Sequence, residues 1–200
     1  MPSSRPDVTA LIRARRRRLP DVIAPGLRVL FCGINPGLYS TAIGHHFGRP
    51  GNRFWKALHA SGFTPRLYAP EEDSTLLALG LGITNLCPRT TASADELTAE
   101  ELAGGARALV AKAVRYRPST VAILGVGAYR RGFDQADAAV GRQDPLTAGA
   151  LTWVLPNPSG LNAHYGLEDL TRRFRLLREA VEARSNAPRR RARASARRRR

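Results

Sequence analysis

The residues best suited to chemistry stand in two short segments far apart in the chain, Gly33-Ile34-Asn35-Pro36-Gly37 and Asn157-Pro158-Ser159-Gly160-Leu161-Asn162. The first follows the apolar run Val29 to Cys32, and the second follows Leu151 to Leu155. An apolar run that stops abruptly in Asn, Pro and Gly reads as a buried strand ending in a tight turn. Such turns put polar groups and exposed backbone at the carboxyl edge of a sheet, where open α/β proteins bind ligands. A carboxamide has no useful basicity, so Asn35 can position a water but cannot serve as a general base.

Other candidate motifs carry less. Gly125-x-Gly127 follows the strand-like Val121 to Leu124, but Arg130 stands where a dinucleotide fingerprint needs its third glycine. A tight strand-to-helix turn explains the pair better. His45 and His46 have no HxH, HExxH or carboxylate partners, so loop polarity or substrate contact fits them better than a metal, and no metal is expected. The acids cluster in helix-capping positions, at Glu71 to Asp73, Asp95 to Glu101 and Glu168 to Asp169. Phe47, between Gly44 and Pro50, either tucks into the core or serves as a stacking surface. Leu161, at a turn tip, either packs down or acts as a wedge between base steps.

The elements that must position these residues alternate. Leu27 to Ile34 reads as a strand, Asn35 to Gly51 as a loop, and Asn52 to Ala60 as a helix with Asn52 as its N-cap. Ser74 to Gly80 reads as a short helix and Gly82 to Leu86 as a strand. Thr98-x-x-Glu101 has the form of a capping box and opens a helix to about Tyr116. Thr120 to Val126 is a strand, Tyr129 to Ala139 a weakly patterned helix, and Leu151 to Leu155 the last strand. Leu170, Phe174, Leu177 and Val181 give the closing helix, Leu167 to Ala183, one apolar stripe. This alternation predicts a single three-layer α/β domain with a mostly parallel sheet covered on both faces.

The 200 residues carry a formal charge of +16, but unevenly. Residues 1–18 hold six Arg and one Asp, and residues 184–200 hold nine Arg and no acid, so residues 19–183 account for only +2. Dense like-charge blocks self-repel, so both arms are expected to be disordered or only transiently helical. Beside phosphates each Arg releases counterions, which suits sequence-independent contact with nucleic acid, an anionic membrane being the weaker competitor. An Arg-favouring genome is the competing explanation, since Lys56 and Lys112 are the only lysines. No apolar stretch is long enough to cross a membrane, and no signal peptide is visible. Two cysteines beside apolar runs suit a reducing cytoplasm.

Taken in order, Gly33 to Gly37, Gly44-His45-His46-Phe47, Pro50-Gly51-Asn52-Arg53-Phe54-Trp55-Lys56 and Asn157 to Leu161 resemble the mismatch-specific uracil-DNA glycosylase and thymine-DNA glycosylase branch of the uracil-DNA glycosylase superfamily. The resemblance runs from about Leu27 to about Ala183, and Arg89-Thr90-Thr91 looks like the family's middle segment. It implies a monomeric bacterial enzyme, without cofactor, that flips a damaged pyrimidine out of G-mismatched duplex DNA and hydrolyses its glycosidic bond. In that reading Asn35 orients the attacking water and Phe47 stacks on the base, while Ile34 and Tyr39 contact its edge through backbone and Asn85 through its side chain. The second segment, Asn157 with Ser159, would hold the DNA, and Leu161 would fill the vacated stack. Backbone of Gly160 and Asn162 would then face the widowed guanine. Asp95 is a conceivable accessory carboxylate, although capping suits it better. The first motif lacks the Asp of the fast uracil-only relatives, two cysteines cannot hold a four-Cys iron–sulfur cluster, and neither motif offers a Lys for a Schiff base. The reading from a different class is a non-catalytic DNA-binding module on the same scaffold, and a third is a nucleotide-binding regulator using Gly125 to Gly127.

Overall fold

A computed structural model describes residues 5–147 and 149–197, the last eleven as backbone alone. Its centre is a five-stranded sheet ordered β2-β1-β3-β5-β4. Strands β1 (Val29–Gly33), β2 (Leu81–Asn85), β3 (Thr120–Leu124) and β5 (Leu151–Leu155) are parallel, and β4 (Gly141–Gln143) runs antiparallel along β5. Short apolar runs with β-branched residues favour strands buried on both faces, and every residue of β1 and β3 is buried.

The period-two rule for strands then builds two cores. Val29, Phe31, Ala122, Leu124 and Leu155 point to one face, with Phe54 and Leu58 of α3 (Phe54–Ala60) and the Leu170–Phe174–Leu177–Val181 stripe of α6 (Leu167–Arg197). Leu30, Cys32, Val121, Ile123 and Val154 point to the other, with Leu102, Ala106 and Leu109 of α4 (Ala99–Tyr116) and Ala128 and Tyr129 of α5 (Val126–Phe133). Phe31 anchors the first core. Its ring meets Phe54 and Phe63 edge-on, each at 5.5 Å between centroids, and stacks on Phe174 at 5.9 Å. The Thr98–Glu101 capping box opens α4 as expected, with Thr98 Oγ1 accepting from Glu101 N and Glu101 accepting from Thr98 N.

Three local expectations are corrected. The loop expected over Asn35 to Gly51 contains α2 (Leu38–Ile43), a helix of six residues between Gly37 and Gly44. The short helix expected from Ser74 begins four residues earlier, at Pro70, and winds as a 3-10 helix to Leu79. The helix expected over Tyr129 to Ala139 starts earlier and ends at Phe133, where Asp134 adopts a left-handed conformation.

Both arms contain helix. Residues 8–14 of the basic N-terminal arm form α1 (Val8–Ala14), because Asp7 caps Ala10 N, Ala14 is buried and the helix packs on α2. The like-charge block begins only beyond it, at Arg15. At the other end α6 continues from Ala183 to Arg197, through a stretch rich in the helix formers Ala and Arg. Residues 1–4 and 198–200 of the two arms lie outside the described residues. No described helix is long and apolar enough to cross a membrane.

Truncating Phe31→Ala removes a fully buried ring with three aromatic neighbours. It should lower the unfolding free energy measured in urea by about 3–5 kcal/mol. Leu176→Ala, at an exposed position of α6, should change it by no more than about 0.5 kcal/mol. A Phe31→Ala loss below about 1 kcal/mol would contradict this packing.

Candidate active site

The chain turns back on itself between β1 and β3, since β2 lies on one side of β1 and β3 on the other. That switch point opens a cleft at the carboxyl ends of the strands. A cavity of about 460 Å³ lies there, lined by the turns after β1, β2, β3 and β5. Ile34, Asn35, Phe47, Asn85, Asn157, Ser159, Leu161 and Asn162 all line it, so residues more than a hundred positions apart meet. Tyr39 and Gly160 do not line it; Tyr39 sits in the first turn of α2.

Asn35 is held in one orientation. Its Nδ2 donates to Thr91 Oγ1 at 2.6 Å and to the Arg89 carbonyl at 3.0 Å. The Thr91 hydroxyl gives its own proton to the Ser93 carbonyl at 2.6 Å, so its oxygen is left to accept from Asn35. With the amide hydrogens engaged by that wall, Oδ1 is the acceptor available to the cleft. Asp95 also lines the cleft, but it stands in the first turn of the 3-10 helix Ala94–Glu96 and accepts from Ser93 Oγ at 3.1 Å.

Phe47 is half-buried and left-handed, with φ 54°, a conformation unfavourable for a bulky residue. Its neighbours hold it there. His46 N donates to Asp73 Oδ2, Trp55 Nε1 donates to the His46 carbonyl, and Gly48 N donates to Ser40 Oγ. One ring face stacks on Phe54 at 4.1 Å and 23°, so Phe47 both caps the first core and forms the cleft wall. Gly33 makes this approach possible, because a Cβ there would stand 2.5 Å from Asn85 Oδ1 and 3.3 Å from Phe47 Cζ.

His46 is 2% exposed, and burial pushes its imidazole below the ordinary value, with the Pro20 carbonyl opposing. Nε2 lies 2.9 Å from that carbonyl, which can only accept, so Nε2 carries the proton and Nδ1 is the acceptor. Asn85 Nδ2 lies 3.4 Å from Nδ1, which turns Asn85 Oδ1 toward Gly33. The Pro20 segment is itself fixed, by a Val22–Ile83 bridge and by Asp21, which pairs with Lys112 at 2.6 Å. His45 and His46 are thus tied into the loop and its neighbours, and no metal-binding group of His, Cys, Asp and Glu forms among the described residues. Burial also pushes the Cys32 thiol far up and the Cys87 thiol to about 11, which leaves neither as a nucleophile.

The second turn is laced internally. Asn157 Oδ1 accepts from Ser159 N at 3.0 Å, Ser159 Oγ from Leu161 N at 3.3 Å, and Asn162 Nδ2 donates to the Asn157 carbonyl at 2.9 Å. Leu161 is 66% exposed, so it does not pack down. Sequence reasoning missed what supports this turn. The Arg53 guanidinium donates to the carbonyls of Ser159, of Asn162 at 2.9 Å and of Tyr165 at 2.5 Å, while Arg53 N donates to that of Pro158 at 3.0 Å. Gly160 lies against Gly51, whose carbonyl oxygen would be 2.7 Å from an added Cβ. A cation at the start of an otherwise apolar helix was the available signal. The wall from Gly125 to Ala128 was also missed: its glycines read as a tight strand-to-helix turn, which they form between β3 and α5, and not as part of the cleft.

Arg53→Ala leaves several loop carbonyls without a charged donor, each such bond being worth about 1.5–3 kcal/mol. Amide exchange over residues 157–165 should therefore accelerate about tenfold or more while α4 is unchanged; equal protection in the variant would contradict the clamp. Burial of neutral His46 has a pH signature. Above the ordinary imidazole value of 6.5 both states are neutral; below it the unfolded chain takes up a proton that the folded one resists. Stability should fall as the pH drops from about 7 to about 5, and less steeply in His46→Gln. Equal slopes would place His46 in water.

The chain matches the family model "Uracil DNA glycosylase superfamily" over residues 20–183. Among solved structures it resembles the solution NMR structure of a "putative Uracil DNA glycosylase" from Methanosarcina acetivorans. The two share 23% identity and a TM-score of 0.50, over 81% of this chain and 98% of that one. The likeness is one of fold, and it agrees with the sheet and flanking helices described above. With the family model spanning nearly the whole near-neutral body, cleft and loops included, the chain belongs to the uracil DNA glycosylase superfamily.

Proposed function

We propose that this chain is a monofunctional DNA glycosylase that removes uracil opposite guanine from duplex DNA, with thymine and etheno-cytosine as further bases. It acts as a monomer and leaves an abasic site. The observation that carries the reading is the pinned Asn35 amide, whose Oδ1 looks into a cleft walled by Phe47 and reached by the exposed Leu161.

In this account Leu161 enters the stack as the base leaves it, and the flipped pyrimidine lies on the free face of Phe47. Asn85 Oδ1 accepts from the ring N–H, and the strand end at Ile34 contacts the base edge. Asn35 Oδ1 accepts a hydrogen from water and aims its oxygen at C1′ of the sugar. The C1′–N1 bond breaks with its electron pair going to the base, the water oxygen bonds to C1′, and the water's proton passes to solvent. Asn35 supplies position rather than basicity, so the rate rests on orientation and on stabilising the departing anion. The N-terminal arginine arm, which runs beside the cleft, adds sequence-independent attraction to phosphates.

Duplexes carrying G·U or A·U and single-stranded uracil DNA, incubated with excess protein and then cleaved by alkali, test the reading. Cleavage should be strongest for G·U. DNA binding without cleavage of any uracil substrate would leave only a binding module. Asn35→Ala should lower the single-turnover rate about 100-fold while retaining affinity for abasic DNA. Leu161→Ala should slow excision from duplex about tenfold more than from single strands, and equal slowing would remove the wedge role.

A further inference from the structure

The two arginine arms leave the body at opposite ends. The N-terminal arm runs beside the cleft: Leu19 lines it, the Arg17 carbonyl accepts from Thr90 Oγ1 at 3.0 Å, and Arg15 lies 3.7 Å from Glu96. The C-terminal arm starts elsewhere. Helix α6 begins just after the turn bearing Leu161 and runs back along the sheet, antiparallel to the parallel strands. By Arg184 it has reached their amino edge, where the Arg184 guanidinium donates to the carbonyl of Gly149, two residues before β5. From Leu167 to Arg184 the helix covers ~27 Å at 1.5 Å per residue. Its helical backbone continues to Arg197, ~20 Å of further helix that starts from this amino edge.

The amino edge is itself cationic. Residues 26–28, 116–119 and 149–151 are joined there by hydrogen bonds, from Gly26 N to the Tyr116 carbonyl, Ser119 N to the Leu27 carbonyl and Leu151 N to the Ser119 carbonyl. This places Arg28, Arg117 and Arg184 in a row across the ends of the neighbouring strands β1, β3 and β5. All three are exposed, and none forms an ion pair with a described acid. On α6, just before Arg184, Glu182 is engaged by Arg178 at 2.6 Å. Beyond Arg184 the sequence adds eight Arg and no acid up to residue 200.

We propose that Arg28, Arg117, Arg184 and the arginine-rich segment after them form a second DNA-binding surface, specific for the phosphodiester backbone, on the face opposite the cleft. A Debye length of ~8 Å at physiological ionic strength is far shorter than the ~27 Å between the two faces, so the arm does little to hold the duplex whose base occupies the cleft. Its arginines instead hold another duplex segment. One chain then bridges two stretches of DNA, which suits transfer between segments during search. The inference takes from the proposed function only that the chain works on DNA, and its test needs no damaged base.

The test titrates the full chain with an undamaged duplex of about 12 base pairs, a small fraction of the ~150-base-pair persistence length and so too stiff to wrap from one face to the opposite one, and reads stoichiometry by sedimentation. The full chain should carry two duplexes. A chain ending at Asn186 with Arg28→Gln and Arg117→Asn should carry one, and should capture a second duplex onto bead-bound DNA about tenfold less well. Its uracil release from a short G·U duplex should match the full chain's. Two duplexes on the shortened variant, or a parallel loss of uracil release, would overturn the separate surface. Absence of uracil release from both proteins, with bridging intact, would remove the enzyme reading and leave this one standing. Tight binding of the arm to phosphatidylglycerol vesicles without DNA bridging would overturn the assignment to nucleic acid.

Discussion

The guanidinium of Arg53 joins the two halves of the site. A turn rich in Asn, Pro and Gly exposes carbonyls in one direction, and four of them converge on this one side chain and its backbone N–H. The bonds are charge-assisted and spread over a planar fork, so they fix orientation as well as distance. Around Arg53 the chain does several jobs in consecutive residues. Gly51 seats Gly160, Asn52 Oδ1 accepts from Phe54 N at the start of α3, and Phe54 backs the Phe47 ring. Phe54 in turn rests on Phe31 at the centre of the first core. The exposed Leu161 and the Phe47 wall are therefore mounted on one short piece of backbone, anchored to the best-packed part of the molecule.

The same economy sets the polar groups. An amide side chain is ambiguous until its neighbours decide which end faces inward, and here the Asn35 and Asn85 amides are decided by neighbours with no freedom of their own. Thr91 must accept from Asn35 because its proton is committed to Ser93. His46 must offer Nδ1 to Asn85 because the Pro20 carbonyl takes the proton on Nε2. Burial keeps that imidazole neutral and so preserves the acceptor. The left-handed Phe47 belongs to the same scheme, since strain persists only where the surroundings over-determine it.

Much of this was legible in the chain. Strands β1 and β5, the α4 capping box and the α6 stripe announce themselves through apolar periodicity and cap chemistry, which depend on local sequence alone. That Asn35, Phe47 and Leu161 meet at one sheet edge was also legible, Asn35 from the strand-ending turn and the other two as apolar residues in turns. What escaped was short or depended on distant partners. Strand β4, Gly-Arg-Gln, has no apolar alternation because it is an edge strand of three residues. Helix α2 is six residues between glycines and owes its place to packing against α1. The roles of Arg53 and Thr91 lie in bonds across more than fifty positions, which no local pattern encodes. The opposite placement of the two arms follows from where α6 ends, which charge counting alone does not reveal.

In the proposed reaction water is positioned without a general base, by a pinned carboxamide beside a neutral buried imidazole and with no carboxylate among the described residues bonded to Asn35. The most direct measurement is the single-turnover rate of uracil release from a G·U duplex across the range from about pH 6 to about pH 9. A rate flat across that range is predicted, because no group that touches the water changes its charge there. A limb rising about tenfold per pH unit to a plateau would reveal a titrating base and contradict it.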